Sequence, residues 1–217
     1  MRANGLQLVV DLAVGAVADP RAALHRDALV LGSLRENIRL VPALGVLDEH
    51  LSLSHFCGPR LPGGFLPFVT SSAPGRGSTL FGRALAHKRD GRLAAGFVQL
   101  GRVAHLVADM ACPVHAHRVA HWTDPFEWWV DAHCEELSRL PVTPVDAAPP
   151  FELISSLARR TRRLKPDRTN NAPGWVLRRL GLLRPPRREQ LQADAHAIIP
   201  AAAGTLAALL RMFLEDS

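Results

Sequence analysis

Tyrosine is absent from this chain of 217 residues, and aromatic residues make up 6% of it. No stretch of five or more residues alternates β-branched with polar side chains, the pattern that a half-buried strand requires. These absences leave little from which to build a sheet. Alanine and leucine abound instead, and 47% apolar residues suffice for a sizeable core, so the expectation is all-α: a single-domain helical bundle over residues 1–217. Cysteine is scarce too. Cys57, Cys112 and Cys134 are odd in number, far apart and without CxxC spacing, which argues against a disulfide framework and allows one bridge at most. Long apolar runs are also few. The N-terminal LQLVVDLAVGAVA, between Arg2 and Asp19, imitates a secretory signal, but Asp11 interrupts it. No other stretch reaches the 18 or so consecutive apolar residues of a spanning helix. As written the chain reads as cytoplasmic, and as extracytoplasmic if a signal segment precedes Met1.

Acidic residues are nearly missing from one segment. The formal net charge is +6, yet the excess is local: eleven Arg and Lys stand between Arg159 and Arg188 against one acid, Asp167, while the remainder carries 15 basic and 19 acidic residues. Residues 159–188 therefore form a basic surface segment on a mildly acidic body. Such a segment either solvates its own helices or makes peripheral contact with an anionic membrane or nucleic acid, in which case binding weakens steeply with salt. Nothing in the sequence speaks to oligomeric state.

Along the chain, residues 6–18 and 21–35 read as two helices parted at Asp19-Pro20, since proline fits the first turn of the second. The following stretch, 36–78, is rich in proline and glycine and reads as an ordered loop region. Helical sequence over 78–111 breaks near Asp90 and Gly91, and its second half, GRLAAGFVQLGRVAHLVADM, is apolar around most of its circumference, which places it at the bundle centre. Pro113 ends it. TDPFEWWVDAHCEEL restarts a helix with Thr123 or Asp124 as N-cap and Pro125 in the first turn, PVTPVDAAPP links onward, two short Arg-rich helical pieces flank KPDRTNNAPG, and a helix from Gln190 to Glu215 closes the chain. There is no internal repeat.

The chemistry concentrates in residues 105–129, HLVADMACPVHAHRVAHWTDPFEWW, which hold four of the ten histidines, two aspartates, a glutamate and three of the four tryptophans. His105 and Asp109 are one helical turn apart on one face, so an imidazole nitrogen and a carboxylate oxygen can share a cation; zinc suits both. An isolated HxxxD is more often a polar helix edge than a ligand pair, and Arg102 lies near that edge. His115 is carried on the turn that Pro113 fixes, Glu127 sits in the first turn of the next helix where a carboxylate is favoured, and His121 falls between them. Together they make a second cation site beside the first, as in two-metal hydrolases. His55, in SLSHFCGP, is the candidate from outside this stretch, although a lone loop histidine more often packs against a core. His117 and His133 are left aside, and Trp122, Trp128 and Trp129 read as wall and core.

HLVAD followed by CPVH and then PFEWWV, with LGSLRENIRLVP and SLSHFCGP upstream, resembles the zinc-dependent phospholipase C family, whose helical fold is shared with single-strand nucleases. The resemblance spans roughly residues 25–130 and carries with it long ordered loops around a buried metal site. It implies that His55, His105 and Asp109 bind one zinc, that His115, Glu127 and a further histidine bind another, and that Asp109 bridges to a third ion. It also implies hydrolysis of a phosphate ester, in a phospholipid or a nucleic acid, by metal-activated water with an early-loop aspartate as base. Three positions depart from the family pattern. The early-loop aspartate falls at Asn37, which cannot take a proton, leaving Glu36 or Asp48 to substitute. The first 24 residues contain no histidine for the third ion. Thr123 stands where the family has a histidine, so His121 is chosen as the ligand. The alternative reading is a catalytically impaired, metal-stabilised binding or structural protein of the same fold.

Overall fold

The computed structural model describes residues 1–36, 53–58 and 61–216, with Ala172 in its backbone alone. Among the described residues there are eleven α-helices and no strand, so the all-α expectation holds. The N-terminal half comprises α1 (Ala3–Val17), α2 (Pro20–Leu24), α3 (Arg26–Arg35), a 3-10 turn (Leu53–His55), α4 (Ala73–Arg89), α5 (Leu93–Met110) and α6 (Pro113–Ala116). The remainder comprises α7 (Pro125–Ala132), α8 (Cys134–Leu137), α9 (Pro150–Thr161), α10 (Ala172–Arg179) and α11 (Arg188–Glu215).

The starts follow local chemistry. Asp19 accepts from the Arg21 amide with Pro20 in the first turn, Ser72 accepts from Gly75, Asp124 from Phe126, and Asn171 from Gly174. Two expected helices are each split, and a histidine stands at both breaks. His25 separates α2 from α3 and stacks on Phe97 at 4.6 Å. His133 separates α7 from α8; its Nδ1 lies 2.7 Å from the Trp129 carbonyl and its ring stacks on Trp129, so side chain–backbone bonding competes with the helical ladder.

α5 is the axis. Every side chain from Val103 to Met110 is buried, with α3 and α4 packed along it. The α3–α5 crossing is unusually close because two glycines face each other: a Cβ on Gly32 would lie 2.0 Å from the Val98 carbonyl oxygen, and one on Gly101 2.1 Å from that of Leu29. α1 buries Leu6, Leu8, Val9, Val10 and Ala13, chiefly against α11, so the run that imitates a signal is here part of the core. α11 is long and apolar enough to cross a membrane, but most of its apolar stretch is buried inside the bundle.

Candidate metal centre

The dry C-terminal half of α5 carries His105 and Asp109, both 1% exposed. Two charge-capable groups in that position need partners, because an unpaired buried polar group costs on the order of 1–3 kcal/mol and a charge more. The 3-10 turn delivers the first: His55 Nδ1 is 2.8 Å from Asp109 Oδ2, and His105 Nε2 is 3.1 Å from the same oxygen. Neither approach has hydrogen-bonding geometry, so Asp109 Oδ2 and His105 Nε2 are left without a hydrogen-bond partner. The ligand atoms of His55, His105 and Asp109 lie within 4.8 Å of one another.

A second trio adjoins it. The ligand atoms of His115, His121 and Glu127 also lie within 4.8 Å of one another, with His115 Nε2 3.5 Å from Glu127 Oε1 and 4.0 Å from Asp109 Oδ1. His121 and Glu127 are part-exposed, so this trio is the one that faces solvent.

Three of the histidines are oriented alike. Nδ1 of His105 lies 2.8 Å from the Ser33 carbonyl, Nδ1 of His115 3.0 Å from that of His55, and Nδ1 of His121 3.1 Å from that of Val119. A ring that donates from Nδ1 to a carbonyl keeps its proton there and presents the Nε2 lone pair, which is how metal-ligating histidines are held. Phe56 stacks on the His115 ring at 4.7 Å. The donor chemistry, imidazole nitrogen with carboxylate oxygen, fits zinc, and His105 Nε2 and Asp109 Oδ2, unpartnered and 3.1 Å apart, call for a cation between or beside them.

One cation is already there. The Met1 ammonium is 2.5 Å from Asp109 Oδ1 and 2.9 Å from Glu127 Oε1, fully buried. Burial disfavours its charge, but Asp109 and Glu127 outweigh that and hold its pKa well above the ordinary value. Burial likewise opposes ionisation of Asp109 and Glu127; the ammonium, with His105 and His115 for Asp109 and His115 for Glu127, reverses the balance and keeps both pKa values low. Burial lowers the pKa of His105 and His121, favouring the neutral, ligating form. His55 is pushed the other way: Asp109 and Glu36 overcome its burial and raise it.

Of the groups considered for taking a proton, Asn37 and Asp48 lie outside the described residues. Glu36 caps the end of α3 and is 6% exposed. Its two oxygens are each 2.6 Å from a guanidinium, Oε1 from Arg76 and Oε2 from Arg102, and His55 Nε2 is 3.7 Å away. Burial works against its charge, yet His55 and Arg76 hold its pKa down to about 2. His117 points away, with Nε2 3.0 Å from the Leu164 carbonyl. Trp129 is buried, whereas Trp122 and Trp128 are 71% and 51% exposed.

Sequence reasoning overlooked two neighbours. Asp124, read only as an N-cap, is 3% exposed with Oδ2 unpartnered, and burial together with Glu127 pushes its pKa up to about 7. Cys112 Sγ approaches Glu127 Oε1 at 3.5 Å, and burial raises its thiol pKa. The only signal for them was that Cys112 directly precedes Pro113 in CPVH and that Asp124 lies three residues before Glu127.

A bundle with candidate ligands on its axial helix, on the turn after it and on the next helix start is the all-α phospholipase C fold. The crystal structure of Clostridium perfringens alpha-toxin from an avian strain matches with a TM-score of 0.71 at 14% identity, covering 99% of this chain and 65% of that one. Alpha toxin from Clostridium absonum matches with a TM-score of 0.66 at 13% identity, covering 100% and 67%. The chain thus spans about two thirds of the length of these toxins, and at such identities the likeness shows the fold alone. No family model matches the sequence. Nor does any curated protein.

Proposed function

We propose that the chain is a zinc-dependent hydrolase of phosphate esters, with phospholipid as the substrate class, and that His55, His105 and Asp109 hold one ion and His115, His121 and Glu127 a second. The observation that carries this is the pair of unpartnered buried acceptors, His105 Nε2 and Asp109 Oδ2, facing each other across 3.1 Å while Nδ1 of His105 is fixed on a carbonyl. Groups so placed are costly without a cation and well used with one. Zinc would supply there a Lewis acid for phosphate oxygens and a lowered pKa for water.

The chain's own residues divide the remaining work. The part-exposed His121 and Glu127 leave the second trio open to a phosphate, while His55, His105 and Asp109 are walled from solvent. Glu36, held as an anion by Arg76 and Arg102, serves to position His55 rather than to accept a proton near neutral pH. Proton acceptance falls to Asp48 or to Asp124, whose ligand atom lies within 4.8 Å of that of Glu127 and whose Oδ2 has no hydrogen-bond partner.

Metal analysis of protein purified without added zinc, beside the His105→Ala/His115→Ala variant, tests the reading. Two equivalents in the native protein and loss in the variant are expected, with phosphatidylcholine hydrolysis that tracks the metal; a native protein free of metal would sink it. A second reading, a metal-stabilised protein without turnover, is favoured by the locked state of Glu36. It requires tight zinc binding with no hydrolysis of any phosphodiester, single-stranded DNA included, and gain of activity on Asn37→Asp.

A further inference from the structure

Residues 163–188 hold a feature that the metal centre does not use. α10 has almost no buried side: Trp175, Val176, Leu177, Leu180 and the following Leu182 are 49%, 47%, 37%, 65% and 69% exposed, and of its described side positions Gly174 alone is buried. Eight residues cannot remain helical in water on propensity alone, so the start of this helix is built in. Asn171 caps it, the Arg168 carbonyl presses on Gly174 where a Cβ would lie 1.5 Å away, and the Trp122 amide donates to the Asn170 carbonyl.

The charges around it are not neutralised: Arg179 lies over the Trp175 ring at 4.6 Å, and Arg160 and Arg162 donate to backbone carbonyls. Asp167, the one acid of the segment, is turned onto Thr169 and Asn170. Among the described residues no carboxylate forms an ion pair with any of the eleven cations. Arg163, Lys165, Arg168 and Arg184, from the segments that flank α10 in the chain, line a cleft of about 380 Å³; the acids there are Asp167 and Asp194, and Asp194 accepts from Gln190.

We propose that α10 and this cationic cleft form an interfacial anchor that docks on a bilayer surface rich in anionic lipid, with Trp175, Val176, Leu180 and Leu182 entering the acyl boundary and the surrounding arginines on lipid phosphates. Charge complementarity selects an anionic partner, and the aliphatic side chains select a bilayer among anionic partners, because leucines gain from hydrocarbon and have no stacking face to offer a base. A second copy of the chain would bring like charges together. The anchor is one hydrogen bond from Trp122, the residue after His121, so docking brings the open trio to the lipid surface. The inference goes beyond the hydrolytic reading and does not depend on it.

The test is co-sedimentation of the full chain with phosphatidylcholine vesicles containing 30% phosphatidylglycerol, with pure phosphatidylcholine vesicles, and filter binding to single-stranded DNA. Binding to the anionic vesicles is expected to exceed that to neutral ones at least about tenfold and to fall with salt. Arg178→Gln/Arg179→Gln/Arg184→Gln should weaken it by on the order of a hundredfold, and Leu180→Ser/Leu182→Ser, which changes no charge, by about tenfold. Tryptophan emission should shift to the blue on vesicles in the native chain and not in Trp175→Phe. Equal binding to both vesicle types, native-like binding by the double serine variant, or binding to DNA but not to vesicles would each overturn the proposal. Because binding and not turnover is read, such a result leaves the hydrolase reading standing.

Discussion

The α3–α5 crossing offers a direct link from one hydrogen atom in the sequence to the candidate metal centre. Gly101→Ala adds a Cβ that would sit 2.1 Å from the Leu29 carbonyl oxygen and 2.9 Å from the Gly32 Cα. Both neighbours are backbone, so no side chain can swing away, and the helices must part by about 1 Å to reach ordinary contact. Overpacking of this kind costs about 1–3 kcal/mol, which for a chain of this size lowers Tm by roughly 2–12 °C. The movement is transmitted to the site, because the residue after Gly32 is Ser33, whose carbonyl is 2.8 Å from His105 Nδ1. Opened by about 1 Å, that contact passes 3.5 Å and ceases to be a hydrogen bond. His105 then loses the partner that fixes its tautomer and ring, and zinc affinity should fall about 10–100-fold. The assays are thermal melting of metal-free protein and competitive zinc titration. A variant that melts within about 1 °C of the native protein and binds zinc equally well would show that the close crossing does not hold the site.

Two further predictions concern buried acids. Glu36→Gln removes the anion shared by Arg76 and Arg102, and breaking a buried pair of this kind should cost about 3–5 kcal/mol, read as a lower denaturant midpoint at pH 7. Since the folded pKa is about 2 against an ordinary 4.5, the stabilisation is present above about pH 4.5 and lost as pH falls through 2, so the two proteins should converge in acid; equal midpoints at pH 7 would refute this. Asp124→Asn has the opposite sign. With a folded pKa of about 7 against an ordinary 3.8, the acid's favourable contribution is complete below about pH 3.8 and is lost as pH rises through 7. Asparagine keeps the cap on Phe126, so metal-free Asp124→Asn should be the more stable protein at pH 8, by up to about 4 kcal/mol, with little difference at pH 4. A gap that does not change with pH would count against the assigned burial.

Much of the frame was legible in the sequence because it is set within a few residues. Proline in a first turn with a capping side chain before it marks the starts at Pro20 and Pro125, and Pro113 ends the axial helix whether or not the rest of the chain is present. The spacing of His105 and Asp109 on one helix face, and of His115, His121 and Glu127 around the turns, is equally local; the fold gathers the pair with His55 into one trio and the other three into a second, each within 4.8 Å. The breaks at His25 and His133 were not legible, since each histidine stacks on an aromatic ring and no propensity records that choice.

By itself the sequence determined the helical class, the helix starts at Pro20 and Pro125, the basic segment and a short list of metal-capable side chains, all of which depend on spacing and composition; it placed the start of α4, at Ala73, inside a loop. Tertiary structure alone decided which of them meet and in what state. Asp109 faces the Met1 ammonium 108 residues away, and Glu36 is shared by guanidiniums 40 and 66 residues distant. Asp124 is pushed toward neutrality, and Leu177, Leu180 and Leu182 in and after α10 are left in the open while Leu6 and Leu8 of α1 are buried. Burial and long-range charge set these outcomes, and both are properties of the packed chain that no local period encodes.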